Sequence, residues 1–216
     1  MVSHKRADET NTVPFPAIAV TPAEGFSGND GLWSTFIINV GDGTAEGRGQ
    51  DFRVLASTSS SITQIPSEAS WCTQPDKAAC AADRGVDLFQ SKQSLGFQEK
   101  ESPSWKRSGN FELPVLSYAE DYPEEHPNGT YGTDALGLGP SSELSPILAQ
   151  QTIALISTQN YFMGSFGLGV RKFKIDGGDV DTFLTNFEFS NQTASRSYGF
   201  TAGAHYSKFP FHINHV

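Results

Sequence analysis

Apolar and polar residues alternate over two short stretches, Phe36, Ile38 and Val40 and then Phe52 and Val54, the period of half-buried strands. Between them, Gly41 to Gly49 is hydrophilic and glycine-bearing; it predicts a hairpin turn, because the strand–helix context of a phosphate loop is absent. The second strand runs straight into five consecutive small hydroxyl residues, Ser57 to Ser61. Ala17 to Thr21 predicts a short first strand, Phe111 to Tyr118 alternates as a later one, and Pro140 to Pro146 reads as a turn. Ala149 to Ser157 fits either a strand or a short helix. Residues 1–15 read as a disordered tail ended by Pro14 and Pro16. Phe162, Phe166, Phe183 and Phe187 are expected in the core.

Composition narrows this picture. A chain of 216 residues supports one sizeable domain, or at most two small ones. Its 16 Phe and 21 Gly, with many Ser and Thr, favour an all-β domain rich in turns. The net charge of −9 excludes a nucleic-acid partner, which needs clustered Lys and Arg, and argues against an anionic membrane surface. No apolar run approaches the roughly 20 residues of a membrane-spanning helix. The two cysteines, Cys72 and Cys80, carry a spacing poorly suited to zinc; a local disulfide in an oxidising compartment is preferred over two free thiols. Two sequons, Asn128-Gly-Thr130 and Asn191-Gln-Thr193, point the same way as candidate glycosylation sites. The first 30 residues hold no apolar leader segment, and Lys5-Arg6 reads equally as part of a tail or as a dibasic processing site. The expectation is a secreted, extracellular protein whose leader is already removed; a truncated gene model would look the same.

The order of short motifs resembles the N-terminal lobe of the pepsin-like aspartic proteases, most closely the secreted fungal type. In that family an aromatic start, an I-x-I-G turn and Q-x-F-x-V lead into D-T-G-S-S. Here Trp33 to Gly41, then Gln50-Asp-Phe-Arg-Val54, lead into Ser57-Thr58-Ser59-Ser60-Ser61. Ser102-Pro-Ser-Trp105 resembles the passage ahead of the family's flap, and Tyr118 falls at the flap tyrosine. Beyond it the family's Y-G-T-G-S gives way to an acidic, proline-bearing stretch with Glu120, Asp121, Glu124 and Glu125, read as a solvated loop face. Gly132 to Gly139 resembles the strand after the flap. Phe162 to Gly169 resembles the family's F-x-G-I-x-G-L-G, and this alignment makes Ala149 to Ser157 a strand. Thr182 to Phe187 resembles a short helix, and Tyr198 to Tyr206 a strand of fungal members. The likeness covers roughly 17–206, one lobe of two, and leaves 1–16 and 207–216 as tails.

The resemblance implies a cleft lined by Ser57, Ser60 and Tyr118, but its chemistry is changed. Ser57 stands where the family has its catalytic aspartate, Ser59 at the glycine, and Gln64 at a tryptophan beneath the loop. Aspartic proteolysis needs two carboxylates sharing one proton, which a hydroxyl cannot replace. A serine-nucleophile mechanism lacks a G-x-S-x-G elbow, and the histidines (His4, His126, His205, His212, His215) fall in tails or loops. His212-Ile-Asn-His215 reads as a solvated tail, so neither a metal nor another cofactor is expected. The implied function is a pseudoprotease lobe binding a peptide or protein ligand without cleaving it. The alternatives are an acid endopeptidase homologue completed by a second lobe or partner, and a truncated product without function. The face around Ser57 to Ser61 and Phe166 to Gly169 is expected to expose apolar area and to drive association with a partner or a second copy.

Overall fold

The computed structural model describes residues 18–20, 22–29, 31–41, 49–69, 72, 77–114, 128–143, 146–158 and 162–200. Among these, nine strands and two short helices make an all-β, barrel-like fold. The strands are β1 (Phe36–Val40), β2 (Gln50–Ser57), β3 (Thr63–Pro66), β4 (Lys106–Glu112), β5 (Asn128–Leu138), β6 (Ile147–Ile156), β7 (Gly164–Gly167), β8 (Phe173–Ile175) and β9 (Gly178–Val180). The helices are α1 (Lys77–Asp83) and α2 (Phe183–Phe189). The main sheet runs β1-β2-β7-β3-β6-β5-β4, and a second pairing of β1 with the far half of β5 closes it. Closure leaves β4 as an appendage on the near half of β5.

The predicted hairpin is present: Phe36 to Val40 pairs antiparallel with Val54 to Gln50 in one unbroken register. Phe36, Ile38, Val40, Phe52 and Val54 all point inward, as their period of two requires. They join Ile65, Ile153, Leu155, Phe166, Leu168 and the inner residues of α2 in the main core. Phe166 meets Phe36 and Phe183 edge-on, with ring centroids 5.4 and 4.8 Å away. Intervening residues face the other way: Ile62, Ala154 and Ile156 join Leu113 and Tyr131 in a second cluster, against which Phe111, Phe173 and Ile175 pack. Phe162, expected in the core with the other three phenylalanines, is only half-buried.

Strand β6 settles the ambiguity over Ala149 to Ser157 in favour of a strand, extended to Ile147. The helix at Thr182 to Phe187 is also present, displaced to Phe183–Phe189 because Thr182 is its cap and accepts the Thr185 N–H. Other expectations are corrected. Residues 18–20 form no strand, and the only pairing nearby is a single bridge between Pro22 and Phe36. The strand placed at Phe111 to Tyr118 lies at Lys106–Glu112, since Pro114 has no N–H to continue a ladder. Within Tyr198 to Tyr206, residues 198–200 are not strand, and 201–206 lie outside the described residues. So do residues 1–17, the turn interior 42–48, Tyr118, the acidic stretch at 120–125, the five histidines and the tail 207–216.

Two elements went unforeseen. One is α1, an alanine-rich helix of about two turns that carries Cys80. The other is the β8–β9 hairpin, whose Asp176-Gly177 turn has φ of 50° and 77°, the left-handed pair that a type I′ turn demands. Cys72 and Cys80 form the expected disulfide, with Cα atoms 5.8 Å apart. Closing so short a loop constrains the unfolded chain by about 2–3 kcal/mol. The Cys72→Ser, Cys80→Ser variant is accordingly expected to lower the urea midpoint.

Candidate functional site

The hydroxyl-rich loop sits at one structural crossing. β2 and β3 are joined by only a few residues, yet they do not pair; β7 enters between them, parallel to β2 and antiparallel to β3. The loop carries the chain over the end of β7. Leu168 N–H donates to the Ser57 carbonyl and Gly169 N–H to the Ser60 carbonyl, both at 2.8 Å. A Cβ at residue 169 would lie 2.6 Å from Ser61 Oγ and 2.8 Å from Ser60 O, so only glycine permits this approach. The two motifs that the sequence reading paired, around 57–61 and 166–169, are therefore brought together.

Side chains complete the loop. Ser57 Oγ accepts the Ser60 N–H at 3.2 Å and lies 3.3 Å from Ser59 Oγ. Ser60, buried, donates through Oγ to the Ile62 carbonyl at 2.9 Å and accepts the Ile62 N–H at 3.2 Å. Thr58 and Ser59 point into solvent. Ser57 follows the inward-facing Val54 and Ala56 of β2, so it shares its face with Leu55 and, through the register, with Ser165 and Gln64. Gln64 is 1% exposed, and neither atom of its amide has a partner among the described residues; the nearby Ser165 hydroxyl is in the same position. A buried amide in this state is costly. The position beneath the loop thus holds an unsatisfied polar group.

No protein-family model and no curated protein matches the chain. What the loop can do must be judged from its own atoms. It offers hydroxyls and backbone groups, and the only carboxylate on the same strand and face, Asp51, is six residues back, roughly 20 Å along an extended strand. Among the described residues, no group of three or more His, Cys, Asp or Glu could hold a metal ion. The expected apolar exposure around the loop is not found: Phe166 and Leu168 are buried, and of the apolar residues next to the loop only Val170 is exposed, at 51%. The strand pairing turns both apolar side chains inward, so the face shown to solvent is mostly hydroxyl. Of the sequon residues, Asn128 opens β5 opposite Glu112 and Asn191 follows α2; both are exposed and remote in sequence from the loop.

Four charged groups outside the loop, Arg84, Asp134, Asp51 and Asp87, are held by side-chain and backbone contacts that the sequence did not foretell. Arg84 is fully buried, and its guanidinium donates to the carbonyls of Phe162, Ser67 and Ile156 at 3.2, 2.9 and 3.1 Å. Asp134, 1% exposed, accepts from the Ser102 hydroxyl at 2.7 Å, from the Ser104 hydroxyl and from the Ala135 N–H. It joins the Ser102-Pro-Ser-Trp105 passage to β5, two motifs the sequence showed only separately. Asp51 accepts the Ser141 N–H and hydroxyl at 2.8 and 3.0 Å, while Asp87 pairs with Arg53 at 3.1 Å.

Asp51 and Asp87 give the fold a pH dependence whose sign is fixed. Burial pushes the Asp51 carboxyl upward; Ser141 opposes this and the charge of Asp87 adds to it. Burial also raises Asp87, against the pull of Arg53. A carboxyl with a higher pKa folded than unfolded is penalised in the fold while ionised. The penalty is complete above the folded pKa and gone below the unfolded value of 3.8. The contribution of both groups to stability therefore grows as pH falls toward that value. In urea unfolding, the stability of Asp51→Asn, Asp87→Asn relative to the unaltered chain should rise as pH goes from about 4 to 7; a constant difference would refute the assignment.

Proposed function

We propose that the chain is a catalytically inactive, pepsin-like lobe that binds extended peptide or protein segments in an oxidising, extracellular setting. One observation carries this reading: the hydroxyl of Ser57 fills the position the resemblance gives to the catalytic aspartate and is engaged with the Ser60 N–H. A serine there can hold the loop's shape, but it cannot take up the lytic proton near neutral or mildly acid pH. A second lobe or a partner copy bringing its own aspartate would still find a hydroxyl opposite it. The exposed Thr58 and Ser59 of the loop offer hydrogen-bonding groups suited to peptide amides. The disulfide agrees with an oxidising compartment, and no helix among the described residues is long and apolar enough to cross a membrane.

The test compares the unaltered chain with the Ser57→Asp, Ser59→Gly variant on a broad peptide library at acid pH, alongside retention of the same peptides on the immobilised chain. The unaltered chain is expected to retain a subset of peptides and cleave none. A carboxylate at position 57 can accept the same Ser60 N–H, so the variant should fold. Cleavage by the unaltered chain would overturn the pseudoprotease reading, and failure to retain any peptide would overturn the binding role.

A further inference from the structure

Helix α2 ends at Phe189, which is 72% exposed, the most exposed large apolar side chain among the described residues. The chain leaves through Ser190 into Asn191, whose φ of 56° places it in the left-handed region and reverses the backbone. Asn191-Gln192-Thr193 is a sequon, so the aromatic ring stands two residues ahead of a candidate acceptor amide. The turn is firmly held. Asn191 N–H donates to the Glu188 carbonyl at 3.0 Å, and the Gln192 amide donates to the Ile147 carbonyl at 2.9 Å and to Ser190 Oγ at 3.2 Å. Arg196 pairs with Glu188 at 3.0 Å across the same turn. Ile147, tied in by this network, is itself 47% exposed. Asn191 is exposed, and its side chain has no hydrogen bond to the described residues.

We propose that Asn191 carries an N-linked oligosaccharide whose first N-acetylglucosamine lies against Phe189. The donor class is an oligosaccharide on a polyisoprenyl pyrophosphate. The Asn191 Nδ2–C1 bond forms as the sugar's C1–O–phosphate bond breaks; the amide loses one proton, and the polyisoprenyl pyrophosphate departs. One face of the pyranose ring presents C–H groups, which pack on an aromatic ring and withdraw its apolar area from water. Acceptor and aromatic residue stand two positions apart on a turn held by these hydrogen bonds. The Cys72–Cys80 disulfide agrees with an oxidising compartment, the setting such transfer requires. This inference stands apart from the proposed binding role and survives its failure.

The full chain, directed by an added leader through a eukaryotic secretory pathway, is mapped by peptide mass spectrometry before and after enzymatic release of N-glycans in heavy-oxygen water. Asn191 is expected to be occupied, and release of the glycan to lower the melting temperature. Asn128→Gln should leave both results intact. In Phe189→Ala the glycan remains but its release no longer shifts the melting temperature; Phe189 is exposed, so this variant keeps its core. An unmodified Asn191, no shift on release from the unaltered chain, or an equal shift in Phe189→Ala would each overturn the proposal.

Discussion

Replacing Arg84 with leucine is expected to destabilise the fold by about 3 kcal/mol, the cost of stripping a fork of donors from buried carbonyls. The charge itself is not what stabilises: burial lowers the guanidinium's pKa to about 10, so the fold disfavours the cation it contains. The benefit lies in geometry, because one planar group reaches the ends of three segments, at Ser67 after β3, Ile156 at the end of β6 and Phe162 ahead of β7. The Ile156 carbonyl also receives the Ser67 N–H at 2.8 Å and its hydroxyl, so the loss falls mainly on Ser67 and Phe162. Arg84→Lys should restore little, since a compact ammonium cannot span the same acceptors. Urea unfolding of both variants provides the check: a lysine variant as stable as the original would show that charge, not the fork, is what matters.

Asp134→Ala should cost a comparable amount, about 3–5 kcal/mol, because two hydroxyls and one backbone N–H lose a charged acceptor inside the protein. Asp134→Asn should cost about half as much, its carbonyl oxygen keeping one bond and the rotatable hydroxyls adapting to its amide. Coupling is the sharper measure. Once Asp134 is alanine, further Ser102→Ala and Ser104→Ala changes should cost much less than they do in the unaltered chain, since the acceptor they served is gone. Simple additivity in chemical denaturation would refute the network.

These two side chains also mark where sequence reading stopped. Strands β1 and β2 were legible because their apolar residues repeat in step with the pleat, whereas the stretch that became β6 was ambiguous by pattern and was read as a strand only through the family likeness. β4 was misplaced because it is an edge strand whose residues are mostly exposed, so Lys106 to Asn110 carry no apolar period, while the alternation beyond Phe111 runs into a proline. The β8–β9 hairpin had a usable signal in Asp176-Gly177 that went unread. Arg84 had none, for a lone arginine after an alanine-rich helix looks like any solvated cation. Asp134 was noticed within a motif, but its bonds to Ser102 and Ser104 span the β4–β5 hairpin and leave no mark in local spacing. At the loop, Ser57 was read as the first residue of the turn, whereas it is the last residue of β2. Its apolar surroundings were misread, because whether Phe166 and Leu168 face in or out depends on how β7 pairs.

The insertion of β7 between β2 and β3 has a consequence for how the protein is made. Gly167 and Thr63, joined by a hydrogen bond, are 104 positions apart in the chain. During synthesis β2, the hydroxyl loop and β3 leave the ribosome long before the strand that separates them. Until β7 arrives, β2 and β3 have free edges toward each other and every opportunity to pair wrongly. Contacts this distant along the chain slow folding and lengthen the time those edges stay open to other chains. A nascent chain stopped ahead of Gly164 would already hold every residue of the loop and none of its form.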